Sequence, residues 1–417
     1  MRPSGGEAGP VVVDNTTVTT TADVPAAETS TPAASLSVAA TPDVAAGEEA
    51  GTPVAVEEEE QDAAIQQIQE LAAPPPPNTP PQLPRPIALV TGGTSGIGRA
   101  TVCELLRRNL HDILVACRED NPDVVTDARA AFTEATHAAE KQAEGVPPPT
   151  VTFLPLELQS LPSVKDYVSR LSGMCAERGQ SIALVILGAA TGDLTSPDPL
   201  GVEPEMAPHG YEKTLSVNFI GHVALVRGLL TCQPECLARG ARIVAVSCGR
   251  HTHAWRLDAE NLDLARPGRP WHKAPPFTNP FRRGDAYNNS KAALTTWALR
   301  LDAMYAPSGR LTATVVDPGL VPGTQLLRAA GTNYDFLWQH VVSPVWAFTQ
   351  RVVTPHEAAV DILDGAANVN DFPTGGVYFE GKKQGKAARQ CYDTSLQKAL
   401  WDATPEMMGG EVWPAAE

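Results

Sequence analysis

The sequence predicts an α/β fold, a doubly wound parallel sheet in three α/β/α layers, with a disordered N-terminal tail. Three observations predict it. From Ile87 onward, apolar runs of strand length alternate with segments of helical period, the rhythm of parallel strands joined by crossover helices. The first run, Ile87 to Val90, passes through Thr91 into a turn carrying Gly92, Gly96 and Gly98. A helix follows to Arg108, with Val102, Leu105 and Leu106 on one face. Residues 1–84, by contrast, are rich in Pro, Ala, Thr, Val and Glu, with 13 acidic residues against one basic residue, Arg2.

That tail has few aromatic residues and little periodicity, so it lacks the apolar surface needed to order itself. Within it, Ala63, Ile65, Ile68 and Leu71 suit a short acidic helix over Glu57 to Ala73. The run Pro74 to Pro77 and prolines 80, 81, 84 and 86 then make a stiff linker. Residues 1–85 are read as a solvated extension or a partner-binding arm, with neither a secretory signal nor an ordinary transit peptide. No run of 18 uncharged apolar residues occurs, so no membrane span is expected. The remaining chain holds 35 acidic and 31 basic residues, which gives no electrostatic case for nucleic acid. Seven scattered cysteines fit an intracellular, reducing compartment, cytoplasmic or peripheral to a membrane. Neither Cys232 with Cys236 nor His251 with His253 has a second ligand pair at zinc spacing, so no metal is expected.

The elements follow in order. His111 to Arg118 is a second buried strand, and residues 123–143 a polar helix closed by Pro147 to Pro149. Thr150 to Leu154 is a third strand. Ser160 caps a helix that has Pro162 in its first turn and runs to about Met174. Ser181 to Leu187 is a fourth strand, closed by Gly188, Ala189 and Ala190, whose small size suits a cofactor passing close by. A long amphipathic helix covers Tyr211 to Cys232, and Ala241 to Val246 is the fifth strand. Ala286 to Ala303 is a helix, Leu311 to Val316 the sixth strand, and Thr354 opens a helix to Leu363. Gly376 to Phe379 is a short final strand.

Two places carry chemistry. In the first turn, Gly92 turns tightly, Gly96 lets a pyrophosphate approach the backbone, and Gly98 permits close packing of the helix. The helix start then offers N–H groups and a positive dipole end to phosphate. An acid at the end of the second strand would favour NAD, but Cys117 and Arg118 stand there. Arg118 can pair with a 2′-phosphate, which favours NADP(H) over NAD(H). The second place is Tyr287 and Lys291, four apart and so on one helix face. A phenol has a pKa near 10, and an ammonium beside it favours the phenolate.

These motifs together resemble the short-chain dehydrogenase/reductase family over residues 86–404, with 405–417 as a C-terminal extension. The nearest likeness is to its retinol-dehydrogenase and WW-domain-oxidoreductase-like branch. Thr91-Gly-Gly-Thr-Ser-Gly-Ile-Gly98 is similar to the family's phosphate loop, and Val217-Asn-Phe-Ile-Gly221 to the motif holding its catalytic asparagine. Ala116-Cys-Arg118, Leu156 to Leu161, Tyr287 to Lys291, Pro318-Gly319, Gly376 to Phe379 and Leu400-Trp401 complete the resemblance. It implies a Rossmann-type domain and a hydride transfer between nicotinamide and substrate. Tyr287 would handle the hydroxyl proton, Lys291 would lower its pKa and bond the ribose, and Asn218 would hold a water on the proton path. Thr94, Ser95, Gly96 and Ile97 would bind phosphate, Glu157 and Leu158 would flank adenine, and Ala189 would pack near ribose. Pro318, Gly319, Val321 and Thr324 would line the nicotinamide side. The family's habit of pairing through its two long central helices implies a homodimer.

The sequence departs from the pattern at four points. Cys248 falls where the catalytic serine belongs, and Ser247 serves only if the strand end re-aims it; a thiol is a weak donor. Gly188-Ala-Ala190 lacks the family's bracing asparagine, Glu157 replaces an aspartate, and Pro318 to Thr324 is one residue longer than usual. The long insert Gly249 to Gly284, with Trp255, Trp271 and Phe277, is read as a rim over the site. The aromatic stretch Asn333 to Thr349 is either an apolar lid in peripheral contact with membrane or a helix pair packed on the core. The expected activity is NADP(H)-dependent interconversion of a lipophilic alcohol and its ketone or aldehyde. Cys248 keeps open a non-catalytic NADP(H)-binding scaffold whose tail recruits a partner.

Overall fold

The computed structural model of the chain describes residues 84–118, 122–142, 146–192, 203–231, 236–254, 257–260, 262, 283–322 and 351–410. All belong to one compact unit, Pro80–Glu417. The expectations for the tail, for Thr324, for Trp255, Trp271 and Phe277 and for Asn333 to Thr349 lie outside the described residues.

Eight strands form one sheet in the order β3-β2-β1-β4-β5-β6-β7-β8. They are β1 Ile87–Thr91, β2 Asp112–Cys117, β3 Val151–Pro155, β4 Ile182–Leu187, β5 Leu237–Val246, β6 Leu311–Asp317, β7 Val377–Glu380 and β8 Lys383–Gly385. The first seven run parallel, and β8 pairs antiparallel with β7. Because side chains alternate along a strand, Ile87 and Leu89 of β1 face one layer and Ala88 and Val90 the other. On the first side lie α3 (Leu161–Arg178), α4 (Lys213–Thr231) and α5 (Arg283–Tyr305), with Tyr167, Phe219 and Trp297 fully buried. On the second lie α1 (Gly96–Arg108), α2 (Pro122–Gln142) and α6 (Pro355–Asp361), with Leu106, Phe132 and Ala358 buried. The strand order reverses between β1 and β4. A crevice therefore opens there at the carboxyl ends of the strands, where open α/β sheets bind ligands.

Caps follow local chemistry. Ser160 accepts from the Ser163 N–H at the start of α3, and Gly179 closes that helix at φ 60°. Thr354 and Glu357 form a reciprocal capping box ahead of Pro355.

Two expectations need correction. The helix α4 is not amphipathic: every residue from Gly221 to Leu229 is buried, since the sheet, α3 and α5 enclose it. By length and hydropathy Lys213–Thr231 would pass as a membrane span, but 83% of its apolar window is buried in the domain. The sheet is not wholly parallel, because Gly381, at φ 61°, turns β7 straight into β8. A seventh helix, α7 (Thr394–Met407), ends with Met407 and the following Met408 buried in the core. Pro405 lies inside α7 and cannot donate to the Trp401 carbonyl. The Thr404 hydroxyl (2.7 Å) and Arg227 (3.4 Å) donate to it instead.

Candidate active site

The glycine turn after β1 is as tight as its composition suggests. Gly92 sits at φ 69°, and a Cβ there would stand 2.8 Å from the Ala189 Cα. A Cβ on Gly98 would stand 2.1 Å from the Gly92 carbonyl oxygen, so the helix start packs against the turn itself. Ser95 occupies the N-cap of α1 in extended conformation and makes no capping bond through its side chain. The first-turn N–H groups of α1 are thus left for a ligand, and the turn fits a pyrophosphate.

A saturated polar network braces this turn from below. The Thr91 hydroxyl accepts N–H bonds from Gly188 (2.9 Å) and Ala189 (3.1 Å). With both acceptor positions filled, its proton goes to His222 Nε2, 2.9 Å away. His222 Nδ1–H then donates to the Asn218 carbonyl (3.2 Å), so the ring is neutral, and its complete burial pushes its pKa down to about 3. The Asn218 amide accepts from the Thr191 N–H (2.7 Å) and donates to the Thr191 carbonyl (2.9 Å) and the Ser290 hydroxyl (3.0 Å). Ser290 in turn donates to the Tyr287 carbonyl at 2.8 Å. The chain of bonds therefore runs from the glycine turn to the helix carrying Tyr287. Asn218 sits in a π-helical turn, Ser216–Ile220, a local widening that often marks functional sites.

Above this floor lies a cleft of about 860 Å³. Lys291 is buried, and its Nζ donates to the Val246 carbonyl at 2.9 Å and lies 5.8 Å from the Tyr287 ring centre. Burial lowers its pKa to about 8. Burial also pushes the Tyr287 phenol well up, with the neighbouring Cys248 adding to this and Arg250 opposing it. The phenol is therefore held protonated. Close approach of its ring to the β4 loop depends on Gly192, where a Cβ would come within 2.7 Å of Tyr287 Cδ2.

Two residues at the strand end after β5 line the cleft beside that phenol. Ser247 is buried, and its hydroxyl pairs with Thr295 at 2.8 Å. The next residue, Cys248, is half-buried, lines the cleft with Tyr287 and adds to the upward push on its phenol. Burial and Asp317 hold its thiol protonated.

Most residues singled out in the sequence meet in this cleft. Gly92, Thr94, Ser95, Gly96, Ile97 and Gly98 line it beside Arg118, Glu157, Leu158 and Ala189. Ser247, Cys248, Tyr287 and Lys291 line it with Pro318, Gly319 and Val321. Asn218 does not. It is fully buried beneath the floor, and both ends of its amide are engaged in bracing Thr191 and Ser290. Sequence reasoning did not single out His222, Arg250, His251 or Asp317 as site residues. The spacing of His222 four residues after Asn218 was a readable signal, since it places the two on one helix face.

A family model described as short chain dehydrogenase matches residues 86–255. Polyprenol dehydrogenase of Mus musculus is 30% identical over 331 residues, covering 77% of this chain and 83% of that protein. Its Homo sapiens counterpart is 28% identical, covering 78% and 86%. Retinol dehydrogenase 13 of Homo sapiens is 26% identical, covering 79% and 86%.

Proposed function

We infer function from one premise: the chain belongs to the short-chain dehydrogenase/reductase family, on its retinol-dehydrogenase-like branch, and is an oxidoreductase of that family. On it we propose NADP(H)-dependent interconversion of a lipophilic alcohol and its ketone or aldehyde. The observation that carries this reading is the buried Tyr287 phenol beside Lys291, in one cleft with a turn shaped for pyrophosphate. Relatives named for polyprenol and retinol support the lipophilic substrate.

The Thr94 to Gly98 backbone would hold the pyrophosphate, with Glu157 and Leu158 against the adenine and Ala189 near the ribose. Arg118, exposed at the end of β2, would pair with a 2′-phosphate. Val321 and Pro318-Gly319 would border the nicotinamide, which when bound supplies or accepts the hydride. Tyr287 then gives its Oη proton to the substrate oxygen in reduction and takes it back in oxidation. The Lys291 ammonium, held by the Val246 carbonyl, stabilises negative charge on that phenol as the proton leaves. Cys248 offers a second, weaker donor to the same oxygen. Asn218 acts through its amide as the brace between Thr191 and α5, rather than as an open water site.

Tyr287→Phe tests this. The wild-type chain should turn over NADPH with hydrophobic aldehydes or ketones. The variant should lose about 10²- to 10⁴-fold in kcat, the usual worth of a positioned acid, while binding NADPH as before. Cys248 favours one rival, a nucleotide-binding scaffold. Tight NADPH binding by the wild type without turnover across such a panel would establish that rival and end the enzymatic reading.

A further inference from the structure

His251 lies just beyond Cys248, in the turn Gly249–His253, and is 1% exposed. Its Nδ1 is 2.8 Å from the Cys248 carbonyl oxygen, and the Ala388 N–H donates to its Nε2 at 2.9 Å. A carbonyl only accepts and an amide N–H only donates, so the proton sits on Nδ1 and Nε2 is bare. One neutral ring thus joins the residue facing Tyr287 to the C-terminal segment after β8. Two further bonds tie the same pieces together. Gln390 Nε2 donates to the Ala254 carbonyl at 3.3 Å, and its Oε1 accepts from the Leu257 N–H at 3.1 Å. The Tyr378 ring, 5.2 Å away on β7, closes one side of the imidazole.

We propose that His251 is a positioning residue: by holding the Cys248 carbonyl it sets where the Cys248 side chain stands beside Tyr287. Through Ala388 it makes that placement depend on the C-terminal segment. The proposal rests on the reading of Tyr287 as proton donor. Cys248 is the first residue past the sheet ladder, because the Ser247 N–H makes the last strand-type bond, to Val316 at 2.7 Å. Beyond it the backbone has no sheet to hold it. The His251 ring and the His251 N–H, 3.0 Å away, both donate to its carbonyl.

Two substitutions separate the halves of the ring. The amide of His251→Asn reaches the place of Nδ1 and can still donate to the Cys248 carbonyl, but loses Ala388. The amide of His251→Gln reaches the place of Nε2 and can accept from Ala388, but loses the side-chain bond to the Cys248 carbonyl, leaving only that of the His251 N–H. Both lose one buried bond, so both lower the melting temperature. The expected result is a kcat for H251N about tenfold above that of H251Q, with NADPH dissociation constants within twofold of each other. The second readout needs no turnover: alkylation of Cys248 by iodoacetamide in the nucleotide-free chain, followed by peptide mapping. Its rate should rise several-fold in H251Q and stay within twofold of wild type in H251N. Equal loss of kcat in the two variants, or equal alkylation rates, would overturn the proposal. If the wild type turns nothing over, the reading of Tyr287 fails, and the alkylation rates alone still decide for or against His251.

Discussion

Cys248→Ser should make this protein a faster catalyst. The thiol at 248 shares the cleft with the Tyr287 phenol, where a substrate oxygen would come. The hydroxyl one residue earlier is out of play, since Ser247 is bonded to Thr295 at 2.8 Å beneath the sheet end. A serine at 248 replaces a weak donor with a strong one in a site already half-buried and already facing a polar group. A neutral hydrogen bond is worth about 1 kcal/mol net, and one to a charged acceptor about 1.5–3 kcal/mol. An oxygen gaining charge during hydride transfer falls between the two, near about 1.4 kcal/mol, or about tenfold in kcat/KM. The assay is steady-state oxidation of NADPH with a hydrophobic aldehyde, comparing wild type, C248S and Ser247→Ala. C248S should rise about tenfold and S247A should stay within threefold of wild type. If C248S is no faster and S247A collapses, then the serine and not the cysteine faces the substrate, and the reading of the strand end is wrong.

The pH profile of carbonyl reduction should fall on its alkaline side near 8, where buried Lys291 loses its proton, because the phenol titrates well above 10. Lys291→Arg, which cannot deprotonate there, should move that limb upward; a limb that stays put would assign it elsewhere. Gly98→Ala puts a Cβ 2.1 Å from the Gly92 carbonyl, so calorimetry should show NADPH affinity falling by at least tenfold. His222 takes up a proton near 6.5 when unfolded but only near about 3 when folded. The unfolded chain binds more protons in that window, so stability is lost as pH falls from 6.5 toward 3 and is unaffected above it. Urea unfolding should show wild type losing about 1.4 kcal/mol per pH unit more than His222→Gln between pH 6 and 4.5. Parallel slopes would mean the ring is solvated.

Much of the fold was legible because the signals were local. β1, β2, β4 and β6 are short apolar runs buried along nearly their whole length, and each of the first six strands lies within a few residues of its expected bounds. The glycine turn was legible for the same reason, since the steric demands on Gly92 and Gly98 come from neighbours close in sequence or paired in the sheet. α4 misled because its few polar groups face inward: Asn218 and His222 are buried and bonded to Thr91, Thr191 and Ser290, partners far away in the chain. Pro405 hid the last turn of α7, and only the distant Arg227 and the Thr404 hydroxyl show how the freed carbonyl is met. The bracing bonds of the Asn218 amide to Thr191 and Ser290 were not legible, because those partners lie 27 and 72 residues away. Nothing in the sequence around His251 announces Ala388, which lies 137 residues away.

The C-terminal helix has a consequence for how the molecule comes into being. Trp401 stacks on Trp297 of α5 at 5.7 Å, and Arg227 of α4 lies 4.6 Å over the Trp401 ring. The α4 and α5 helices thus have α7 of the same chain laid across them. During synthesis the nucleotide half emerges before α7 does. A nascent chain can therefore shape its phosphate turn early, yet it leaves Trp297 uncovered until Trp401 has been made. A ribosome stalled before codon 394 would display a sticky, half-dressed enzyme, and that is the species a chaperone would be expected to hold.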